Sequence, residues 1–230
     1  MRPPATWEPA AARVARMYLM APDGLPVDPD FVAGSVESGV RRIVLLSSRG
    51  IETMGDERLL AAERTVRESG ADWTVIRPDW FDQKSDEGIF RAAILAGELA
   101  LPLGDLRQVF VDVGDIAAVA AAALTEDGHS GQSYEVTGPR ALSFGEALSI
   151  VGAAAGREVR YRGEPGDYLA ARAAQGATDE QARAEAAAFA ALRGVGDGAP
   201  TEVVRRVAGR GPKSFESYAA EAAASGAWRR

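Results

Sequence analysis

A doubly wound parallel α/β sheet with a helical C-terminal lobe is the architecture this sequence predicts, and three stretches predict it. Arg42-Ile43-Val44-Leu45-Leu46 is a continuous apolar run, the pattern of a strand buried on both faces, and it stops at the polar Ser47-Ser48-Arg49-Gly50. Trp73-Thr74-Val75-Ile76 is a second such run, stopped by Arg77-Pro78, with one helix between the two. From Pro165 onward the chain becomes alanine-rich and helical in period. Two strands joined by one helix form a right-handed parallel crossover, so the loops after both strands open on one edge of the sheet. In doubly wound sheets that edge is where ligands bind.

Taken in order, Met1 to Ala12 holds Pro3, Pro4 and Pro9 and no phosphate-binding glycines. Val14 to Met20 is the first strand, ending at Ala21-Pro22-Asp23-Gly24. Asp28 suits a helix N-cap with Pro29 at the first helical position; Phe31, Val32 and Val36 form the apolar stripe and Gly39 closes the helix. Asp56 caps the crossover helix, whose Leu59, Leu60, Ala62 and Val66 recur at helical spacing until Gly70. Ile89 to Ala96 reads as a helix, and Leu99 to Leu103 and Val109 to Val111 as short extended pieces. Asp115 is expected to cap a helix over Ile116 to Leu124 with Asp112 buttressing the turn, since two carboxylates without a third ligand make a poor metal site. His129, the only histidine, falls in the turn Asp127 to Gly131 and reads as exposed. Tyr134 to Val136 is a strand, Ser143 and Glu146 form a capping box, and Glu158 to Tyr161 is a further short strand. Helices follow over Gly166 to Ala174, Thr178 to Arg193 with a second capping box at Thr178 and Gln181, Thr201 to Val207, and Ser214 to Ala224. Phe189, Leu192, Phe215 and Tyr218 are their large apolar contacts.

With 230 residues, 47% of them hydrophobic, the chain can bury a substantial core. The apolar run Ile116 to Leu124 falls far short of the roughly 20 residues a membrane span needs. No charged-then-apolar leader opens the chain, which points to a cytoplasmic home. Cysteine is absent, excluding disulfides, thiolate metal sites and a cysteine nucleophile. A net charge of −7 disfavours nucleic acid, and the arginines near the C-terminus read as a solvated surface.

The segment from Ser47-Ser48 through Ala61-Ala62-Glu63 and Arg67-Glu68-Ser69-Gly70 to Asp72-Trp73-Thr74-Val75-Ile76-Arg77-Pro78-Asp79-Trp80-Phe81 resembles the NmrA-like branch of the atypical short-chain dehydrogenases, in particular the quinone-oxidoreductase and ergot-alkaloid-dehydrogenase types. Phe110-Val111-Asp112-Val113-Gly114-Asp115-Ile116-Ala117 and Tyr134-Glu135-Val136-Thr137-Gly138-Pro139 follow in the order of that family. The resemblance runs from about Pro4 to the C-terminus. It implies an incomplete Rossmann-like fold: residues 1–139 as a partial NAD(P)-binding core and 140–230 as a mostly helical lobe on the substrate side, together one structural unit. By the same resemblance, Pro4 to Glu8 is the helix after the third strand of the family and Val14 to Met20 its fourth strand. The glycine-rich turn that holds a diphosphate is not found before Val14, so a portion on the order of 60 residues is expected to be missing. Val14 to Met20 then lies at a sheet edge, and a chain of this extent is expected either to be poorly stable alone or to pair that edge with another chain, as in a homo-oligomer.

The resemblance assigns Met20, Ala21, Pro22, Ser47, Ser48, Arg49, Pro78 and Trp80 to the cofactor side and Phe81 and Gln83 to the substrate. From the residues alone, Trp80 and Phe81 serve equally as a pocket wall or as a packing plug against the lobe. No tyrosine has a lysine four residues on, and Ala61 stands where relatives carry a lysine, so the usual proton relay is absent and no catalytic residue is assigned. No metal site is expected. Gly194-Val195-Gly196-Asp197-Gly198 follows a helix, not a strand, and is read as a linker and not as a phosphate loop. The expected activity is an NAD(P)H-dependent reduction of a flat or heterocyclic small molecule, with weak cofactor binding in this form. A non-enzymatic sensor or partner-binding protein and a cofactor-independent isomerase or cyclase remain open alternatives.

Overall fold

The computed structural model describes residues 7, 11–22 and 24–229. Pro3, Pro4, Pro9, Asp23 and, but for Trp7, the helix expected over Pro4 to Glu8 lie outside them. In the described residues the main sheet is parallel and four-stranded, in the order β1 (Arg16–Leu19), β2 (Arg42–Leu46), β3 (Asp72–Pro78), β6 (Gln132–Val136). Register is simple: Tyr18 stands beside Val44, Val44 beside Thr74, and Ile76 beside Tyr134. This is the Rossmann-like α/β arrangement the sequence predicts.

Alternation along the strands sorts the core into two layers, because successive side chains leave opposite faces. Ile43, Leu45 and Val75 pack with Val32, Ala62 and Val66, beneath α1 (Pro29–Glu37) and α3 (Glu57–Arg67). Val44, Ile76, Tyr134 and Val136 pack on the other face with Ile116, Val119, Ala120 and Ala123 of α5 (Val113–Thr125) and with Val203 and Val204 of α9 (Val203–Ala208). A short helix α2 (Ile51–Met54) leads from β2 into α3, and Gly50 before it takes φ of 75°, a left-handed turn that glycine adopts without strain.

The lobe has its own apolar core. Phe144, Leu148 and Val151 of α6 (Phe144–Ala155) and Phe215, Tyr218 and Ala222 of α10 (Phe215–Ser225) pack with Phe90, Leu99, Leu101, Leu103 and Phe110. Sheet and lobe therefore share chain from both halves of the sequence. Two short ladders frame this core: β4 (Glu98–Ala100) pairs parallel with β8 (Arg160–Arg162), and β5 (Arg107–Gln108) pairs antiparallel with β7 (Leu142–Ser143). The remaining helices are α4 (Arg91–Ala96), α7 (Pro165–Ala174) and α8 (Asp179–Val195). Both expected capping boxes form, Ser143 with Glu146 and Thr178 with Gln181.

Three expectations are corrected. Asp112, not Asp115, caps α5: its Oδ1 accepts from Gly114 N at 2.9 Å, and the helix starts earlier than the apolar run suggests. Asp115 is instead fully buried, bonded by Arg210 and by the Lys213 backbone N–H at 2.7 Å. The stretch Gly194 to Gly198 is no free linker, since α8 runs through Val195 and Asp197 accepts from Arg107 N at 2.9 Å. His129 is half-buried, with Nδ1 2.9 Å from the Tyr134 hydroxyl.

Candidate functional site

The loops after β1, β2 and β3 leave the same edge of the sheet, and the backbone ladder carries on past the strands to hold them side by side. Ser47 N donates to Ile76 O at 2.8 Å, Arg49 N to Pro78 O at 3.0 Å, and Asp79 N to Val136 O at 3.1 Å. Arg49 then spans the loops: its Nη1 reaches Asp79 Oδ2 at 3.2 Å and its Nε lies 3.3 Å from Glu135 Oε2. Burial pushes the Asp79 carboxyl above the usual carboxylate range, and the adjacent Arg49 charge offsets part of that rise. Ser47 and the Asp79-Trp80 turn are thus neighbours on one cleft edge.

Beneath this edge lies a buried charge. Glu63 of α3 is fully buried, and its carboxylate accepts from Ser47 Oγ at 2.6 Å and from Arg77 Nε and Nη2 at 2.8 and 2.7 Å. Arg67 adds a contact at 2.9 Å, and Arg77 also reaches Glu52 at 2.7 Å. Burial alone would raise the Glu63 carboxyl; the bonds from Arg77 and Ser47 outweigh it and hold the group below its ordinary value. The hydroxyl of Ser47 is therefore spent on fixing the loop. The Ser48 hydroxyl donates only to its neighbour Arg49 O, at 3.3 Å, and stays half-buried at the cleft edge with Ala21, while Pro22 is exposed.

The other sequence-predicted residues part company. Trp80 turns into the lobe, 5.1 Å from Phe144 and 5.9 Å from Phe90 between ring centres, and its Nε1 donates to Gln108 Oε1 at 3.1 Å. Phe81 turns the opposite way, onto the α5 face, where it joins Met20, Leu46, Tyr18 and Val113 in an open apolar groove of about 390 Å³. Gln83 is engaged on both ends of its amide: Nε2 donates to Asp112 Oδ2 at 2.9 Å and Oε1 accepts from Val113 N at 3.0 Å. It braces the start of α5. Pro78, buried, ends β3 directly above the turn.

Sequence reasoning passed over Asp82. It is 1% exposed, and neither carboxyl oxygen has a hydrogen-bond partner among the described residues. Burial, reinforced by the nearby charges of Asp112 and Asp115 and opposed by Lys213, pushes it up to about 8. An Asp directly after an aromatic turn carries no local signal of burial. Tyr218, which donates to Asp86 at 2.8 Å, and Trp228, which donates to Ser85 O at 2.9 Å, enclose this segment from the far end of the chain.

Among the described residues no cluster of three or more acidic or histidine side chains is arranged to hold a metal ion, and no helix is long and apolar enough to cross a membrane. The polar side chains at the cleft edge are mostly committed to one another. A diphosphate asks for a glycine-rich turn between a strand and a long helix, and the described residues contain none in that setting.

No family model matches the chain. An NAD(P)H azoreductase of Xenophilus azovorans is 35% identical over 171 residues, covering 70% of this chain and 58% of that protein. The chain thus spans less than two thirds of that relative. An uncharacterized oxidoreductase of Bacillus subtilis, YesF, is 32% identical over 225 residues, covering 95% of this chain and 78% of its own length. Among solved structures, the NADPH-dependent quinone oxidoreductase QOR2 of Escherichia coli, complexed with NADPH, superposes with a TM-score of 0.77 at 20% identity, over 94% of this chain and 79% of that one. At that identity the likeness is one of fold.

Proposed function

Because the chain belongs to the NmrA-like branch of the atypical short-chain dehydrogenases, we propose that it acts in NAD(P)H-dependent reduction of a flat conjugated molecule of the quinone or azo class. The observation that carries this reading is the alignment of three strand-end loops on one cleft edge, fixed by the Ser47–Ile76, Arg49–Pro78 and Asp79–Val136 backbone bonds. The azo and quinone reduction named for these similar proteins supports the choice of substrate class.

The cofactor, when bound, supplies hydride. The chain's contribution is positional: Ala21, Pro22 and the Ser48 hydroxyl would hold the nicotinamide end, while the Arg49–Asp79 pair fixes the separation of the two loops that would flank it. A quinone acceptor in particular suits a site without the tyrosine-lysine relay, because the hydroquinone anion left by hydride addition is a weak base that can take its proton from water. Arg77 and Glu63 hold Ser47, and through it the loop, without touching the reactants. Phe81 and Met20 stand at the mouth of the apolar groove below the edge, and Gln83 serves the fold.

The test follows NADPH absorbance with the purified chain, adding a naphthoquinone and, separately, an azo dye. Consumption that depends on both chain and acceptor supports the reading. Its absence in a folded chain supplied with millimolar NADPH refutes it.

A further inference from the structure

Helix α8 of the lobe stands over the cleft edge. Leu192 Cδ1 lies 3.7 Å from where a Cβ on Gly50, in the loop after β2, would stand, and one turn earlier on α8 Phe189 faces Trp80 of the loop after β3. Past the helix the chain returns to the same edge, where Ala199 O accepts from Arg49 Nη1 at 3.3 Å and Thr201 N donates to the Thr137 hydroxyl at 2.8 Å. The two loops tied by the Arg49–Asp79 pair therefore lie under one helix.

Trp80 is fixed without help from α8. Its Nε1 donates to Gln108, its ring meets Phe144 edge-on with centres 5.1 Å apart, and Phe90 stacks near it at 5.9 Å. Phe189 adds a further near-parallel ring, inclined by 20° with centres 6.4 Å apart, and Trp80 and Phe189 are both only partly buried. Phe189 has another aromatic contact inside its own helical hairpin, since Tyr168 of α7 meets it edge-on at 5.6 Å. Phe189 can thus leave Trp80 at the cost of one aromatic pair, keeping a partner, while the indole stays in place.

We propose that the Trp80 ring is the platform for the acceptor, a flat quinone of two or more fused rings, and that Phe189 is the internal occupant this acceptor displaces. The inference rests on the reductase reading above and names the place of the acceptor within it. A fused-ring quinone covers an indole more fully than a phenyl ring does, and the gain from apolar burial grows with the area covered. Its electron-poor carbonyl ring is also drawn to the negative face of the indole, an attraction that the negative face of Phe189 cannot supply. A saturated carbonyl compound gains neither advantage and leaves Phe189 where it is.

Titrating a naphthoquinone into the chain without cofactor is expected to quench part of the tryptophan fluorescence saturably, and Trp80→Phe is expected to lose that part. Phe189→Ala and Phe189→Leu, with unchanged circular dichroism, are each expected to tighten the quinone about two- to tenfold, the worth of one aromatic pair. The same factor is expected in the KM for the quinone, with the KM for NADPH unmoved. A Phe189 that only packs would loosen the lobe when cut back, and the quinone would bind as before or more weakly. That result overturns the proposal, as does saturable quenching that survives Trp80→Phe or is missing from the folded, unaltered chain. NADPH consumption with an unchanged quinone KM in both Phe189 variants sinks the platform and leaves the reductase reading standing; the expected quenching with no NADPH consumption in any form does the reverse.

Discussion

The Ser47 hydroxyl donates to the fully buried Glu63 carboxylate at 2.6 Å, and Arg77 of the next strand grips the same carboxylate with two nitrogens. One acidic side chain thereby ties a helix, a strand and a cleft loop together. Removing it leaves the Arg77 guanidinium with Glu52 alone.

Glu63→Ala is accordingly expected to cost about 3 kcal/mol of stability in urea unfolding, the usual penalty for breaking a buried pair from one side. The sign in pH follows from a depressed carboxyl. Its contribution is fully present above the ordinary value of 4.5 and is lost as pH falls through the lower folded value. The unaltered chain should therefore destabilise on acidification below about pH 4.5, and Glu63→Gln should flatten that limb of the curve. An unchanged acid limb in Glu63→Gln would remove Glu63 as its source.

Asp82 works in the opposite direction. Its folded carboxyl is pushed up to about 8 from 3.8, so the unfolded chain ionises first and the folded state loses stability as pH rises between those values. The slope approaches 1.4 kcal/mol per pH unit at most. Asp82→Asn cannot ionise and is expected to be the more stable form at pH 8 while differing little at pH 4. Parallel denaturation curves at both pH values would show that Asp82 is solvated in solution.

The strand, loop, helix, strand core was legible because continuous apolar runs bounded by serine and proline admit few other readings. The direction of individual side chains was not. Trp80 and Phe81 are adjacent in an extended turn and so leave opposite faces, yet which face meets the lobe is set by Phe144 and Phe189, far along the chain. Asp112 and Asp115 both suit a cap, and only the start of α5 decides between them. Burial of Asp82 depends on the lobe closing over residues 82–86, which leaves no mark in the local sequence.

Trp80 separates a packing role from a cofactor wall. Trp80→Ala is expected to cost about 3 kcal/mol, because it empties a position between Phe90, Phe144 and Phe189 and strips Gln108 of its donor. Trp80→Phe keeps the ring contacts and is expected to recover most of that loss. Dinucleotide affinity should be equal in Trp80→Phe and the unaltered chain. A clear fall in affinity with stability preserved would return Trp80 to the nicotinamide side.

Cofactor affinity tests the proposed placement of the nicotinamide end. In the function proposed above, the nicotinamide ring would meet Ala21 and Ser48, whereas the described residues offer no glycine-rich turn for the diphosphate. If the ring end carries the binding, reduced nicotinamide mononucleotide and NADPH should bind this chain weakly and within a few-fold of each other in a fluorescence titration. A hundredfold preference for NADPH, worth about 2.7 kcal/mol, would require a diphosphate site with its own charge-assisted donors. Ser48→Val should weaken both ligands alike if the hydroxyl meets the ring amide, since a lost hydrogen bond of about 1 kcal/mol is then common to the two complexes.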